Sequence, residues 1–413
     1  MAPSDNSSKG DNGSLDIATL LLHADDDFAT VVDRGVAPSI SVSSSEARPS
    51  FRSIQGAELT SYDLYNPSAH AYSRYTSPIS TRVERVLGAL CKGYALTYAS
   101  GLAAGYAALV FFKPKRIAIT AGYHGFHLTI KAYQKARGAS DPLEVIGLDD
   151  AYKPGDLVWL ETPLNPTGEL RDTKAYADKA HAVGAKIVVD STFAPPPLQD
   201  PFQWGADCVM HSGTKYLGGH SDLLCGVLVV KTREQWDELQ ADRTFLGNIL
   251  GSLESFLLLR SLRTFHLRIP RQFETAAKLA EWIGRLTRIP IGEEWDGVPG
   301  GVVVRVWYPG VSEDKEQAEL LKTRFNGKGP ACFSIMMANR DYGNLLPHAV
   351  KCFTPATSLG GVESLIEQRS TSHPGADPRL IRLSIGVEAL EDLKEDLRRG
   401  FRAAFKGVEK AKM

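Results

Sequence analysis

Leu157-Val158-Trp159-Leu160 and Lys186-Ile187-Val188-Val189-Asp190 are short apolar runs, and between them Thr173 to Val183 carries a helical pattern stopped by Gly184. Continuous apolar runs predict strands buried on both faces, and a helix between them predicts a parallel pair joined by a crossover. The alternation continues outward. A helix from Gly101 to Phe112 and strands at Arg116 to Thr120 and Leu143 to Gly147 precede the unit, and a strand at Asp207 to Met210 follows it. The predicted fold class is α/β, a mostly parallel sheet covered by helices.

After about residue 265 the texture changes. Strand candidates Val302 to Trp307, Cys332 to Met337 and Ile381 to Ile385 stand between longer helical stretches, and a charged helix runs from about Glu388 to Phe405. This predicts a smaller C-terminal α/β domain over 266–413. Ahead of the sheet, Ser77-Pro78 supplies an N-cap and a first-turn proline to a helix whose apolar face is Ile79, Val83, Val86, Leu87 and Leu90. Residues 1–65, rich in Ser, Gly, Asp and Pro, read as an N-terminal arm with a disordered start and one helical candidate at Leu15 to His23. The larger domain is expected over 66–265.

Composition narrows the function classes. The chain has 413 residues, enough for two domains, and its 47 Lys+Arg against 48 Asp+Glu create no basic field for nucleic acid. The five cysteines have no CxxC spacing, which points to neither disulfides nor zinc but to a reduced, cytoplasmic setting. The start lacks the features of a signal or transit peptide, and no apolar run is long enough to span a bilayer. A soluble protein with small-molecule chemistry and no metal is expected.

In an open α/β sheet ligands gather at the carboxyl ends of the strands. Asp190 closes one predicted strand, Asn165 follows another in Glu161-Thr162-Pro163-Leu164-Asn165-Pro166-Thr167-Gly168, and Lys215 follows a third in His211-Ser212-Gly213-Thr214-Lys215-Tyr216. A lysine beside two hydroxyls and several glycines can be a Schiff-base nucleophile anchoring pyridoxal 5'-phosphate. Such a cofactor needs a carboxylate to keep its ring nitrogen protonated, and Asp190 is the candidate. Alone, a strand-end aspartate more often caps a turn; with Lys215 nearby the balance reverses. For the phosphate, Ser100, Gly101 and Leu102 open a helix with free amides, and Ser212 and Thr214 add hydroxyls.

With these motifs in order, and with Tyr72-Ser73-Arg74, Ser358-Leu359-Gly360-Gly361-Val362-Glu363-Ser364 and Ile381-Arg382-Leu383-Ser384-Ile385-Gly386-Val387-Glu388, the chain resembles the Cys/Met-metabolism family of pyridoxal-phosphate enzymes over about 72–388. The resemblance implies a type I aminotransferase-like fold and a homotetramer, a dimer of dimers with shared active sites. Tyr72 and Arg74 would reach the neighbouring subunit's phosphate. It further implies that Tyr123 stacks on the cofactor ring and assists proton transfer, that Arg382 clamps the substrate α-carboxylate through its fork of donors, and that Asn165 and Ser358 orient substrate, cofactor and lysine.

Departures from the family pattern bear on the second substrate. Members that use cysteine follow the stacking tyrosine with a glycine-rich stretch ending in an arginine; the corresponding residues here are His124, Phe126, His127 and Leu128. Thr357 stands where cystathionine gamma-synthases and gamma-lyases often have glutamate, which predicts a less charged pocket there. The favoured expectation is γ-replacement on an O-activated homoserine with a thiol or a carbon nucleophile. A cystathionine or thioether lyase is the alternative, and a non-catalytic binding homologue is a third.

Overall fold

The computed structural model describes residues 15–28, 36–45, 70, 72–311 and 314–412, with side chains described to residue 408. Most of the arm expected over 1–65, including its start, lies outside the described residues. Helix α1 (Ile17–His23) fulfils the short helical candidate.

The larger sheet and its helices follow in chain order as α2 (Pro78–Cys91), β1 (Tyr94–Tyr98), α3 (Gly101–Phe112), β2 (Arg116–Ala118), α4 (His124–Arg137) and β3 (Glu144–Ile146). Next come β4 (Leu157–Glu161), α5 (Thr173–His181), β5 (Lys186–Asp190), β6 (Cys208–Ser212), β7 (Gly226–Val230), α6 (Arg233–Leu246), α7 (Ser252–Arg263) and α8 (Phe265–Leu286). The strands form a seven-stranded sheet in the order β1-β7-β6-β5-β4-β2-β3. Only β7 runs antiparallel to its neighbours, so the mostly parallel expectation holds. The strand order reverses between β2 and β4, since β3 lies on one side of β2 and β4 on the other, and ligands are expected outside the carboxyl ends of the strands from there onward.

The smaller part contains β8 (Glu294–Trp295), β9 (Val298–Pro299), β10 (Val303–Trp307), α9 (Lys315–Arg324), β11 (Cys332–Met337) and α10 (Arg340–Ala349). It ends with β12 (Thr354–Pro355), β13 (Leu365–Gln368), α11 (Arg369–Ser372), β14 (Leu380–Ser384) and α12 (Leu390–Lys412). Its five-stranded sheet has the order β10-β11-β14-β13-β12. Among the described residues no helix is long and apolar enough to cross a membrane.

Local chemistry accounts for the boundaries. Ser77 caps α2 in a reciprocal box with Ser80, with Pro78 in the first turn, and Ile79, Val83, Val86, Leu87 and Leu90 are all buried. Each such side chain contributes about 1.5–3 kcal/mol relative to exposure. The final helix continues past the expected end at Phe405 because its apolar face persists: Leu393, Leu397, Phe401, Ala404 and Val408 are buried at helical spacing. Strands β1 and β7 were not anticipated. β1 follows α2 after only Lys92, in a left-handed cap, and Gly93, so its apolar residues merge with the helix pattern.

A buried ionic knot fixes β1 and α6 to α2. Glu84 Oε1 accepts from the Thr97 amide at 2.9 Å and hydroxyl at 2.8 Å, and pairs with the Arg243 guanidinium, which also donates to Thr97 O at 2.8 Å. Removing one partner strands a charge in the interior. Glu84→Leu should lower stability by about 3–5 kcal/mol, read as an earlier urea unfolding transition; an unchanged midpoint would contradict this account of the knot.

Candidate active site

The carboxyl ends of β4, β5 and β6 deliver Glu161, Asp190 and Ser212 to one face of the sheet. The α3 N-terminus adds Ser100, and the smaller sheet contributes Arg382 from β14 and Ser358 from the loop before β13. Together they enclose a cavity of about 480 Å³. Of the residues singled out in the sequence, Ser100, Gly101, Leu102, Tyr123, Asn165, Asp190, Ser212, Thr214, Lys215, Ser358 and Arg382 all line it. Tyr72 and Arg74 do not; Tyr72 is exposed, and Arg74 donates to Thr244 O at 3.0 Å.

Lys215 sits in the turn after β6, and its Nζ donates to Ser358 Oγ at 2.9 Å. Burial, seconded by the nearby Arg382 guanidinium, lowers its amine from the ordinary lysine range to about 8. The turn is held from beneath by Arg268 of α8, whose guanidinium donates to Tyr216 O at 3.0 Å and to Ser261 O at 3.1 Å. Above it, Gly360 has φ +80, and a Cβ there would lie 2.8 Å from the Tyr216 amide. Glycine is therefore required for the 358–361 loop to pack directly on the lysine turn.

The floor of the cavity is acidic. Asp190 Oδ1 accepts from the Thr192 amide at 3.0 Å and hydroxyl at 2.6 Å, and no cationic side chain pairs with it among the described residues. It lies deep in the protein yet keeps surface open to the cavity, and burial raises its carboxyl above the usual range. Glu161 accepts from the Asn165 amide at 2.7 Å and the Tyr123 amide at 2.8 Å; burial, then repulsion by Asp190, pushes its carboxyl up as well. Two adjacent buried carboxyl groups favour a cation in the cavity. A protonated pyridine nitrogen fits that demand at Asp190.

Opposite lies an anion cradle. Ser100 Oγ accepts from the Ala103 amide at 3.1 Å, leaving the preceding amides of Gly101 and Leu102 at the helix end. A Cβ on Gly101 would stand 3.2 Å from Ser212 Oγ, so the glycine keeps hydroxyl and helix end at ligand-sharing distance. Thr214 also lines the cavity, but its hydroxyl accepts from the Cys225 amide at 2.9 Å and anchors the turn. Ser100, Gly101, Leu102 and Ser212 could hold a phosphate, with Asp190 at the ring nitrogen and Lys215 at the aldehyde.

Arg382 is buried and donates to Asn165 Oδ1 at 3.1 Å and Ser358 O at 2.9 Å. Sequence reasoning missed three charged residues in the wall: Glu161, Glu367 and Arg369. Glu161 was signalled by heading the 161–168 motif, whereas Glu367 and Arg369 lie between recognised motifs. The pocket is consequently not as sparing of charge as Thr357, which also lines it, leads one to expect. Phe126 stacks on Trp159 with centroids 3.6 Å apart, while Leu128 is exposed and does not line the cavity.

The lowered lysine sets a pH dependence. The neutral amine is the nucleophile, so apo-protein should take up pyridoxal phosphate covalently at a rate that rises with pH and levels off above about 8. A rate still climbing toward about pH 10, as for an ordinary lysine, would contradict the buried setting, and Lys215→Ala should abolish the covalent uptake.

The family model described as Cys/Met metabolism PLP-dependent enzyme matches residues 18–402, beyond both ends of the stretch that carries the sequence resemblance. A cystathionine gamma-lyase of Dictyostelium discoideum is 34% identical over 357 residues, covering 80% of this chain and 86% of the relative. A cystathionine gamma-synthase of Mycobacterium bovis is 33% identical over 343 residues, covering 79% and 84%. The crystal structure of metB from Corynebacterium glutamicum superposes with a TM-score of 0.81 at 28% identity, covering 95% of this chain and 99% of that one. The chain therefore belongs to the Cys/Met-metabolism family of pyridoxal-phosphate-dependent enzymes.

Proposed function

We propose that the chain catalyses γ-replacement on an O-activated homoserine, the acetyl or succinyl ester, with a thiol or a carbon nucleophile such as a β-keto acid enolate. The observation that carries this reading is the position of Lys215. With Thr214, Leu224, Thr357 and Ser358 it forms the wall shared by two adjoining cavities, the one described above and a more open one reaching Glu254 and Thr354. Replacement must admit a second reactant after the first substituent has left, and a separate approach ending at the lysine supports that order of events.

Pyridoxal phosphate, when bound, supplies an aldehyde that captures amines and a ring that accepts electrons from the α-carbon. The residues of the chain then divide the work. Ser100, Gly101, Leu102 and Ser212 would hold the phosphate, while Thr214 anchors the turn beside them, and Asp190 would keep the ring nitrogen protonated. Arg382, Asn165 and Ser358 bind and orient the substrate carboxylate. Lys215 takes the α-proton and delivers protons along the carbon chain, aimed by its 2.9 Å hydrogen bond to Ser358. Tyr123, in the cavity lining, would pack against the bound cofactor and assist proton transfer.

The reading extends to assembly. Tyr72 and Arg74 lie off their own cavity, which supports a role across a dimer interface within a homotetramer. The free state of all five cysteines supports a cytoplasmic location. The two sheets support domains over 66–265 and 266–413.

A second reading, cleavage of cystathionine or a related thioether, is favoured by the similarity to proteins named lyases, among them a cystathionine beta-lyase of Lactococcus lactis at 33% identity. Mass spectrometry of reactions containing holoenzyme, activated homoserines and a panel of thiols and β-keto acids separates the two. Products joining the four-carbon amino acid to the nucleophile are expected. Formation of only 2-oxobutyrate and ammonia with every nucleophile would overturn replacement, and release of a 2-oxo acid from cystathionine alone would establish the lyase.

A further inference from the structure

Glu367, in β13, and Arg369, at the start of α11, stand in the wall of the catalytic cavity. Glu367 is buried, and its Oε2 receives two guanidinium groups, Arg382 Nη2 at 2.6 Å and Arg369 Nη1 at 2.8 Å. The Ser372 hydroxyl donates to the other carboxylate oxygen. One carboxylate is thus shared by two cations, and one of those cations also faces Asn165 and Ser358.

Charge counting gives this arrangement a consequence. A guanidinium paired one-to-one with a buried carboxylate presents a neutral unit, and an incoming carboxylate would meet repulsion from the resident one as well as attraction. Two guanidinium groups on one carboxylate leave a positive charge uncompensated. Screening by salt is weak for buried groups, so the excess is felt in the cavity. Arg369 also fixes Glu367 in place, which limits how far its carboxylate can occupy the Arg382 fork.

We propose that Arg369 is a positioning residue that holds Glu367 and keeps Arg382 electrostatically available to the substrate's α-carboxylate. The proposal deepens the function described above and rests on Arg382 being the carboxylate clamp.

The test titrates holoenzyme with L-norvaline, which lacks a γ leaving group, and with L-norvalinamide, which lacks the carboxylate charge, following the cofactor's visible absorption. Arg369→Leu should weaken norvaline binding about tenfold or more while changing norvalinamide by less than about twofold. Arg369→Lys keeps the charge and should stay within about threefold of wild type for norvaline. Arg369→Leu combined with Glu367→Gln restores the charge count and should recover norvaline binding. Glu367→Gln alone, which retains both guanidinium groups, should tighten it.

Unchanged norvaline affinity in Arg369→Leu, equal losses for both ligands, or no recovery in the double variant would overturn the proposal, as would weaker norvaline binding in Glu367→Gln. Arg382→Leu provides the separate control. If it weakens norvaline selectively, the clamp stands whatever Arg369 does; if it leaves norvaline binding unchanged, the clamp reading falls and the proposal with it.

Discussion

The hydrogen bond from Lys215 to Ser358 joins the two sheets at the point where chemistry is expected. The lysine comes from the turn after β6 and the serine from the loop before β13, so the amine is positioned only when both parts of the chain are folded and packed together. Arg268 supports the turn from one side, and the 358–361 loop closes on it from the other. This enclosure lowers the amine's proton affinity, which makes it a nucleophile near neutral pH.

Electrostatics divides the cavity into regions of opposite demand. Asp190 and Glu161 form a floor that favours a cation, while the α3 N-terminus with Ser212 forms a cradle that favours an anion. On a third side Arg382 and Arg369 share Glu367. A ligand with a basic ring nitrogen, an acidic phosphate and an amino-acid carboxylate answers the three demands together. No single one identifies pyridoxal phosphate, since anion cradles and lone buried carboxylates occur widely; their placement around one buried amine does.

Much of this was legible in the sequence because strand ends are local features. The apolar runs ending at Glu161 and Asp190, and the hydroxyl-rich turn around Lys215, mark themselves by composition. Glu367 and Arg369 did not, because Glu367 gains its significance by pairing with Arg382 across β13 and β14, a register that periodicity does not supply, and Arg369 by joining the same carboxylate. Leu128 shows the converse. Alignment with the family pattern made it a candidate for substrate choice, yet it is exposed and does not line the cavity, whose wall instead takes charge from Glu367 and Arg369. β1 was hidden by its closeness to α2, although its pairing with β7 completes the sheet.

The most direct test of the central claim is peptide mass mapping of holoenzyme after borohydride reduction, which fixes the cofactor to whichever amine holds it. The account predicts the pyridoxyl mass on the peptide containing Lys215 and on no other. Labelling of a different lysine, or none under conditions where the cofactor is bound, would contradict it.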